Sequence, residues 1–338
     1  MKFDWNDIAL VPSVLSSIST RKEVEVKYKD GKLPLFTAPM DKVIDQSNVD
    51  FFENEGVNIC LPRHVKFSEL KNENYFYSYG LDEIIEIFEN DGQLPKKVLI
   101  DIAQGHMFKL WEISKRIKEK FGNSIELMIG NIANPDTYRK YCEIGVDYIR
   151  VGIGGGSVCT TSANVSIHYP MASLVSECNE IKKEFKNPTK IVADGGFKNF
   201  SDIIKALALG SDYVMLGGIF NKCLESCSDN FILNGEDFHQ IDLQEAIIKF
   251  EKGFPIYKYY RGMSTKEVQK SWNKEVLKTG EGVSRYNKVE HKLEGWVENF
   301  VDYLKSAMSY CDSRTLEQFI GQVNFEMITQ NSFMRFNK

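Results

Sequence analysis

Short apolar or β-branched runs recur along this chain, each followed by turn residues and then by a stretch of helical spacing. The runs occupy residues 35–38, 57–60, 97–101, 125–130, 148–151, 190–194, 213–216 and 257–260. Continuous apolar runs of this length read as strands buried on both faces. Between several of them apolar residues return at three- and four-residue intervals, as in 106–121 and 200–209, which predicts amphipathic helices. Strand–helix alternation implies a parallel sheet. Eight strand candidates point to a closed (β/α)8 TIM barrel rather than an open sheet.

A second regularity lies at the C-terminal ends of the runs. Asp41, Asp101, Gly130, Gly152, Gly154, the triplet Asp194-Gly195-Gly196, Gly217-Gly218 and Gly262 all sit just past one. In a barrel these positions form the C-terminal rim, where active sites are built. A single glycine there merely ends a strand, whereas this many at one rim predict a ligand resting on backbone. Residues 1–338 are expected to form one barrel domain. Residues 221–253 read as an insertion before the last strand, 264–292 as a charged flap interrupted by Gly280 and Gly282, and 293–338 as a C-terminal helical segment.

Composition narrows the class. Hydrophobic residues make up 43% and charged residues 26%, which suits a globular protein with a large core. A net charge of −5 argues against a nucleic-acid partner, which would call for a basic surface. No apolar run reaches the roughly 18 residues of a membrane helix, and the N-terminal Met1-Lys2-Phe3-Asp4 lacks the apolar centre of a signal peptide. Seven scattered cysteines, an odd number, suit a reducing compartment better than a disulfide framework. A cytoplasmic protein is expected. Cys223 and Cys227 have no further ligands at matching spacing for zinc, and read as helix-face thiols.

Candidate chemistry gathers at the predicted rim. Gly152-Ile153-Gly154-Gly155-Gly156-Ser157-Val158-Cys159-Thr160-Thr161 follows the run at 148–151 and sets one thiol between a glycine loop and two hydroxyls. Cys159 is a candidate nucleophile, against the alternative of a small core residue. Backbone N–H groups at Gly156-Ser157, Gly195-Gly196 and Gly217-Gly218 can attract phosphate, and barrels place phosphate in their late loops. Asp194 would repel phosphate; it suits ribose hydroxyls or, alternatively, caps a helix. A nucleotide monophosphate satisfies both halves. Thr279-Gly280-Glu281-Gly282-Val283 holds a carboxylate between glycines, either a mobile acid or base or a solvated loop residue.

Taken together, these segments resemble the IMP dehydrogenase/GMP reductase family across nearly the whole chain. The resemblance runs through Thr37-Ala38-Pro39-Met40-Asp41, Asp101-Ile102-Ala103-Gln104-Gly105, Gly130-Asn131, the cysteine loop, Ala193-Asp194-Gly195-Gly196, Val214-Met215-Leu216-Gly217-Gly218, Tyr260-Arg261-Gly262-Met263-Ser264 and Glu281-Gly282. It implies a homotetramer of barrels and a covalent thioimidate between Cys159 and purine C2. Ser157, Gly196, Gly217 and Gly218 would hold the phosphate and Asp194 the ribose. The backbone of Gly262 and Met263 would meet the base, and Gly195, Tyr260 and Gly282 would also belong to the substrate site. Thr161 and Glu281 would relay a proton. Asp101, Ala103, Gln104, Gly105 and Gly152 would face an NADPH cofactor. Carbonyls near Gly154, Gly156 and Cys159 would hold a monovalent cation, usually potassium.

Within the family the resemblance is nearer GMP reductase, which implies reductive deamination of GMP to IMP and ammonia. The dehydrogenases usually carry an inserted pair of CBS modules, for which this chain has no room. They also carry a long flap with an Arg-Tyr dyad that activates water. Only 17 residues separate Met263 from Glu281, without such a pair; Arg285-Tyr286 follows the glutamate and reads as coincidence. Tyr169-Pro170 and Glu177-Cys178 are reductase-like. Departures exist: Gly155 stands for proline, Ser162 for a basic residue, Gln104 for asparagine, Lys278 and Gly280 for arginine and serine, and residues 163–168 leave the family pattern. The alternatives are an IMP dehydrogenase without CBS modules that oxidises IMP with NAD, a relative acting on a deoxy or modified guanine nucleotide, and a nucleotide-binding sensor.

Overall fold

The structure is a computed structural model and describes residues 1–271 and 279–336. Eight parallel strands form one sheet. In chain order they are β1 Leu35–Thr37, β2 Cys60–Leu61, β3 Phe76–Tyr79, β4 Lys97–Asp101, β5 Glu126–Ile132, β6 Tyr148–Val151, β7 Lys190–Asp194 and β8 Tyr213–Leu216. Strand β8 pairs with β1 through Leu35 opposite Val214. The remaining seam, between β1 and β2, is closed by a parallel bridge from Phe36 to Asn58 and by the Thr37 N–H, which donates to the Asn58 carbonyl at 3.0 Å. The sheet is a (β/α)8 barrel.

Seven of the eight predicted strands lie in this barrel; the eighth does not. Tyr257–Arg261, here β11, joins an antiparallel sheet with β9 Asn230–Asn234, β10 Asp237–Ile241 and β12 Ser284–Lys288. The barrel strand absent from the prediction is β3, whose residues Phe76-Tyr77-Ser78-Tyr79 are aromatic and hydroxylic rather than β-branched. Residues 221–253, expected as an insertion, supply the β9–β10 hairpin and the helix Leu243–Glu251 that support β11. Residues 284–288, within the 264–292 segment read as a flap, form a strand paired with β11. Beyond 293 lie the helices Leu293–Tyr310 and Leu316–Phe319 and a strand, Phe325–Met327, which pairs with Ile8–Leu10 near the N-terminus.

Two apolar cores result from the strand period of two. Ile149 and Val151 face the outer helices, while Tyr148 and Arg150 face the barrel interior. The interior is filled by Phe36, Cys60, Phe76, Leu99, Met128, Tyr148, Val192, Tyr213 and Met215. Phe36 and Phe76 meet edge to face at 5.7 Å, and Phe76 meets Tyr148 at 5.3 Å. These side chains form a plug that fills the barrel interior below the rim. Among the described residues no helix is long and apolar enough to cross a membrane. Phe76→Ala opens a void in the plug and is expected to lower the unfolding free energy by about 3–5 kcal/mol, measured by urea titration.

Candidate active site

Three charged residues occupy one level of the barrel interior. Asp101 ends β4, Arg150 lies in β6 and Asp194 ends β7, each in the same inward phase as the apolar plug below. Arg150 Nη1 donates to Asp101 Oδ1 at 2.6 Å, and its Nη2 donates to Asp194 Oδ2 at 2.8 Å. Burial works against this guanidinium's charge, and Asp194 and Asp101 outweigh it, so its pKa is held above the usual arginine value. Arg63 adds an ion pair to Asp101 at 3.4 Å. Asn131 Nδ2 donates to Asp194 at 2.8 Å and to the Gly152 carbonyl at 2.9 Å.

The contacts on Asp194 are one-sided. Arg150 Nε, Arg150 Nη2 and Asn131 Nδ2 all reach Oδ2, and none of the described contacts falls on Oδ1. That oxygen keeps its lone pairs. The helix-cap alternative fails, because the helix Phe200–Ala208 is capped by the Asn199 side chain.

Beside this layer the cysteine loop runs against the other glycine loops. Gly195 and Gly196 adopt φ of +86° and +84°, and their backbone packs on Gly155 and Gly156. A side chain on Gly217 would stand 2.9 Å from the Tyr260 hydroxyl, and one on Gly218 would stand 3.3 Å from Ser157 Oγ. Ser157, Gly217, Gly218 and Tyr260, expected to act together, are thus adjacent. Arg285, which by sequence alone reads as coincidental, donates from Nη2 to Ser157 Oγ at 2.8 Å.

Cys159, Thr161 and Glu281 form a hydrogen-bonded chain. The Cys159 thiol donates to Thr161 Oγ1 at 3.3 Å, and that hydroxyl donates to Glu281 Oε2 at 2.5 Å. Backbone holds the glutamate in place: the Thr160 N–H donates to the Glu281 carbonyl at 3.0 Å, and Cys159 bridges Gly282. The Val283 N–H donates to the Val158 carbonyl at 3.0 Å, and the Gly262 N–H to the Val283 carbonyl at 3.1 Å. Gly262 thus lies beside the cysteine loop, with half-buried Met263 next to it. Burial raises the thiol pKa of Cys60, Cys142, Cys178, Cys223, Cys227 and Cys311, keeping those six protonated. Cys159 is half-exposed at the rim.

Other expected positions have structural duties. Gly105 is buried, and a side chain on it would strike the Asn131 carbonyl at 2.6 Å. A side chain on Gly152, at φ +124°, would meet the Asp194 carbonyl at 2.6 Å. Ala103 and Gln104 are exposed at the rim. The Gly154 carbonyl accepts from Ser162 Oγ at 3.1 Å and the Gly156 carbonyl from the Cys159 N–H at 2.9 Å. Tyr169 donates to Glu177 at 2.7 Å, and Lys2 joins Glu177, so this reductase-like pair anchors the N-terminus. Cys223 and Cys227 lie beyond the short helix Gly218–Asn221, not on a helix face, and no group of three or more His, Cys, Asp or Glu suited to a metal occurs among the described residues. Lys278 lies outside the described residues.

The family model for the IMP dehydrogenase / GMP reductase domain matches residues 95–336. The chain belongs to this family. It is 30% identical to the inosine-5′-monophosphate dehydrogenase of Cryptosporidium parvum, over 69% of this chain and 54% of that protein. It is 28% identical to the GMP reductase of Lactobacillus delbrueckii subsp. bulgaricus, over 98% of this chain and 96% of that protein. With human GMP reductase 1 it shares 26% over 98% of the chain and 96% of that protein. The chain therefore spans about half the length of the dehydrogenase relatives and nearly all of the reductases. The family consists of oxidoreductases acting on purine nucleotide monophosphates.

Arg150, Arg63, Asn131 and Arg285 are site residues that sequence reasoning misses. The available signal for Arg150 is a lone charge inside an apolar run, in the same two-residue phase as the rim acids. Arg150→Met leaves two partly buried carboxylates without their shared counter-ion. It is expected to cost about 3–5 kcal/mol of stability, read by chemical denaturation.

Proposed function

We propose that this chain is a GMP reductase, converting GMP to IMP and ammonia through a thioimidate on Cys159. The observation that carries the reading is the Cys159–Thr161–Glu281 chain beside a loop-built phosphate cradle and the free Oδ1 of Asp194. Near end-to-end similarity to reductases supports it, as does a flap without an Arg-Tyr pair ahead of Glu281.

The phosphate is held on Ser157, Gly196, Gly217 and Gly218 and the ribose on Asp194, which sets C2 of the purine against Cys159 Sγ. The thiol adds to C2, and its proton passes through Thr161 Oγ1 to Glu281. Glu281 returns that proton through Thr161 to the 2-amino group, which leaves as ammonia. The sulfur remains bound at C2 as the thioimidate. NADPH supplies the hydride that C2 needs when it is bound. Gln104, exposed at the rim, offers the donor and acceptor that its carboxamide requires. Departure of the Cys159 thiolate then leaves IMP, and a proton taken up from solvent by Glu281 passes through Thr161 Oγ1 to the sulfur. A potassium ion fits the carbonyls of Gly154, Gly156 and Cys159, since those of Gly154 and Gly156 each accept one hydrogen bond and keep a second lone pair. The homotetramer belongs to the same reading and is checked by light scattering.

A second reading, an IMP dehydrogenase without CBS modules, is favoured by the 30% identity to dehydrogenases. Separate incubations with GMP plus NADPH and with IMP plus NAD⁺ decide between them, followed by absorbance of the reduced cofactor. Loss of absorbance in the first alone is expected; a gain in the second overturns the reductase reading. Running dGMP beside GMP tests the deoxy alternative. Cys159→Ala is expected to abolish turnover while nucleotide binding persists, and substantial residual turnover refutes the nucleophile. Glu281→Gln should lower kcat by about 10²–10⁴-fold with little change in GMP binding.

A further inference from the structure

Arg285 occupies an unusual electrostatic position at the rim. Strands β11 and β12 pair so that Tyr260 stands opposite Arg285. Residues directly opposite in an antiparallel pair present their side chains to the same face. The same face carries buried Lys258 and Asn287, so it is the inward one. Tyr260 extends its hydroxyl to Met40 Sδ at 3.4 Å, beside Gly217, and Arg285 extends its guanidinium to Ser157 at 2.8 Å. Burial raises the Tyr260 pKa, Asp194 adds to the rise and the positive charge of Arg285 opposes it. Two strands thus deliver a phenol and a guanidinium to one cluster of glycine loops.

The arginines deeper in the rim face carboxylates: Arg150 faces Asp101 and Asp194, Arg63 faces Asp101, and Arg261 faces Asp41. Among the described residues no carboxylate forms an ion pair with Arg285, whose contact is a neutral hydroxyl. Ser157, the glycine amides and Tyr260 are likewise neutral donors, and the neighbouring Asp194 is already paired with Arg150, so Arg285 brings the formal positive charge to these loops. A guanidinium binds phosphate oxygens through paired N–H donors and keeps its charge at every working pH.

We propose that Arg285 is the charged member of the 5′-phosphate site and sets the preference of this protein for a nucleotide over the matching nucleoside. The proposal rests on the phosphate cradle described above, but not on which reaction the site then performs. Arg285 is therefore a specificity-determining residue: it reads the phosphate and leaves the purine to other groups.

Calorimetric binding of GMP and of guanosine to the full chain tests this, with wild type, Arg285→Ala and Arg285→Lys compared at two salt concentrations. Arg285→Ala is expected to weaken GMP binding by about 10- to 100-fold, the range of a charge-assisted hydrogen bond, and to leave guanosine binding unchanged. Arg285→Lys should recover part of the loss, keeping the charge without the paired geometry. The salt dependence of GMP binding should shrink in the alanine variant. Equal GMP affinity in wild type and Arg285→Ala overturns the proposal. So does an equal loss of GMP and guanosine, which marks a structural role; thermal unfolding of each variant reports whether the fold is intact. Because the readout is binding, a protein that binds GMP but does not reduce it still tests the role of Arg285. Wild-type protein that binds neither GMP nor IMP overturns the cradle and this proposal together.

Discussion

The buried Arg150 guanidinium is the constraint on which the rim depends. Two carboxylates at one level of a closed barrel repel each other, and the plug beneath offers neither with a polar partner. Arg150 bridges them from β6, one of the two strands between, with Asn131 of β5 on Asp194 and Arg63 on Asp101. Removing charges from water is expensive, so such an arrangement persists only where the remaining hydrogen bonds are also made. Here the described ones on Asp194 are made on a single oxygen, Oδ2. The same residues thus tie strands β4, β6 and β7 together at the barrel mouth.

Much of this was legible in the chain. Alternating runs and helical stretches announced the barrel, and the acids and glycines after the runs marked its working rim. The errors share a physical cause. Tyr257-Lys258-Tyr259-Tyr260 and Phe76-Tyr77-Ser78-Tyr79 are both short aromatic runs, and local pattern does not tell a barrel strand from a strand of a capping antiparallel sheet. Pairing partners decide that, and for Tyr257–Arg261 they are the hairpin strand Asn230–Asn234 and Ser284–Lys288. Arg150 and Arg285 were hidden for a related reason. Each is a charge inside a strand, and its meaning depends on what the neighbouring strands bring to the same face.

The catalytic candidates divide between rigid and attached parts. Cys159 and Thr161 belong to a loop braced by glycine backbone from the next strand. Glu281 arrives from a distant part of the chain, and its carbonyl accepts one backbone hydrogen bond, from Thr160. A relay assembled from two segments has its donor and acceptor in register only when both are seated.

That seating separates the spacing of the flap's ends from its length. Gly262 and Val283 are hydrogen-bonded to each other, and Val283 to Val158, so the chain leaves and re-enters the rim at nearly one point. Closing a loop between adjoining anchors costs only about 0.6 kcal/mol more for each doubling of its length. The chain between Ser264 and Gly280 can therefore change in length at little cost, provided that Glu281 and Gly282 stay seated on the cysteine loop. Divergence of chemistry on this barrel has a cheap place to happen.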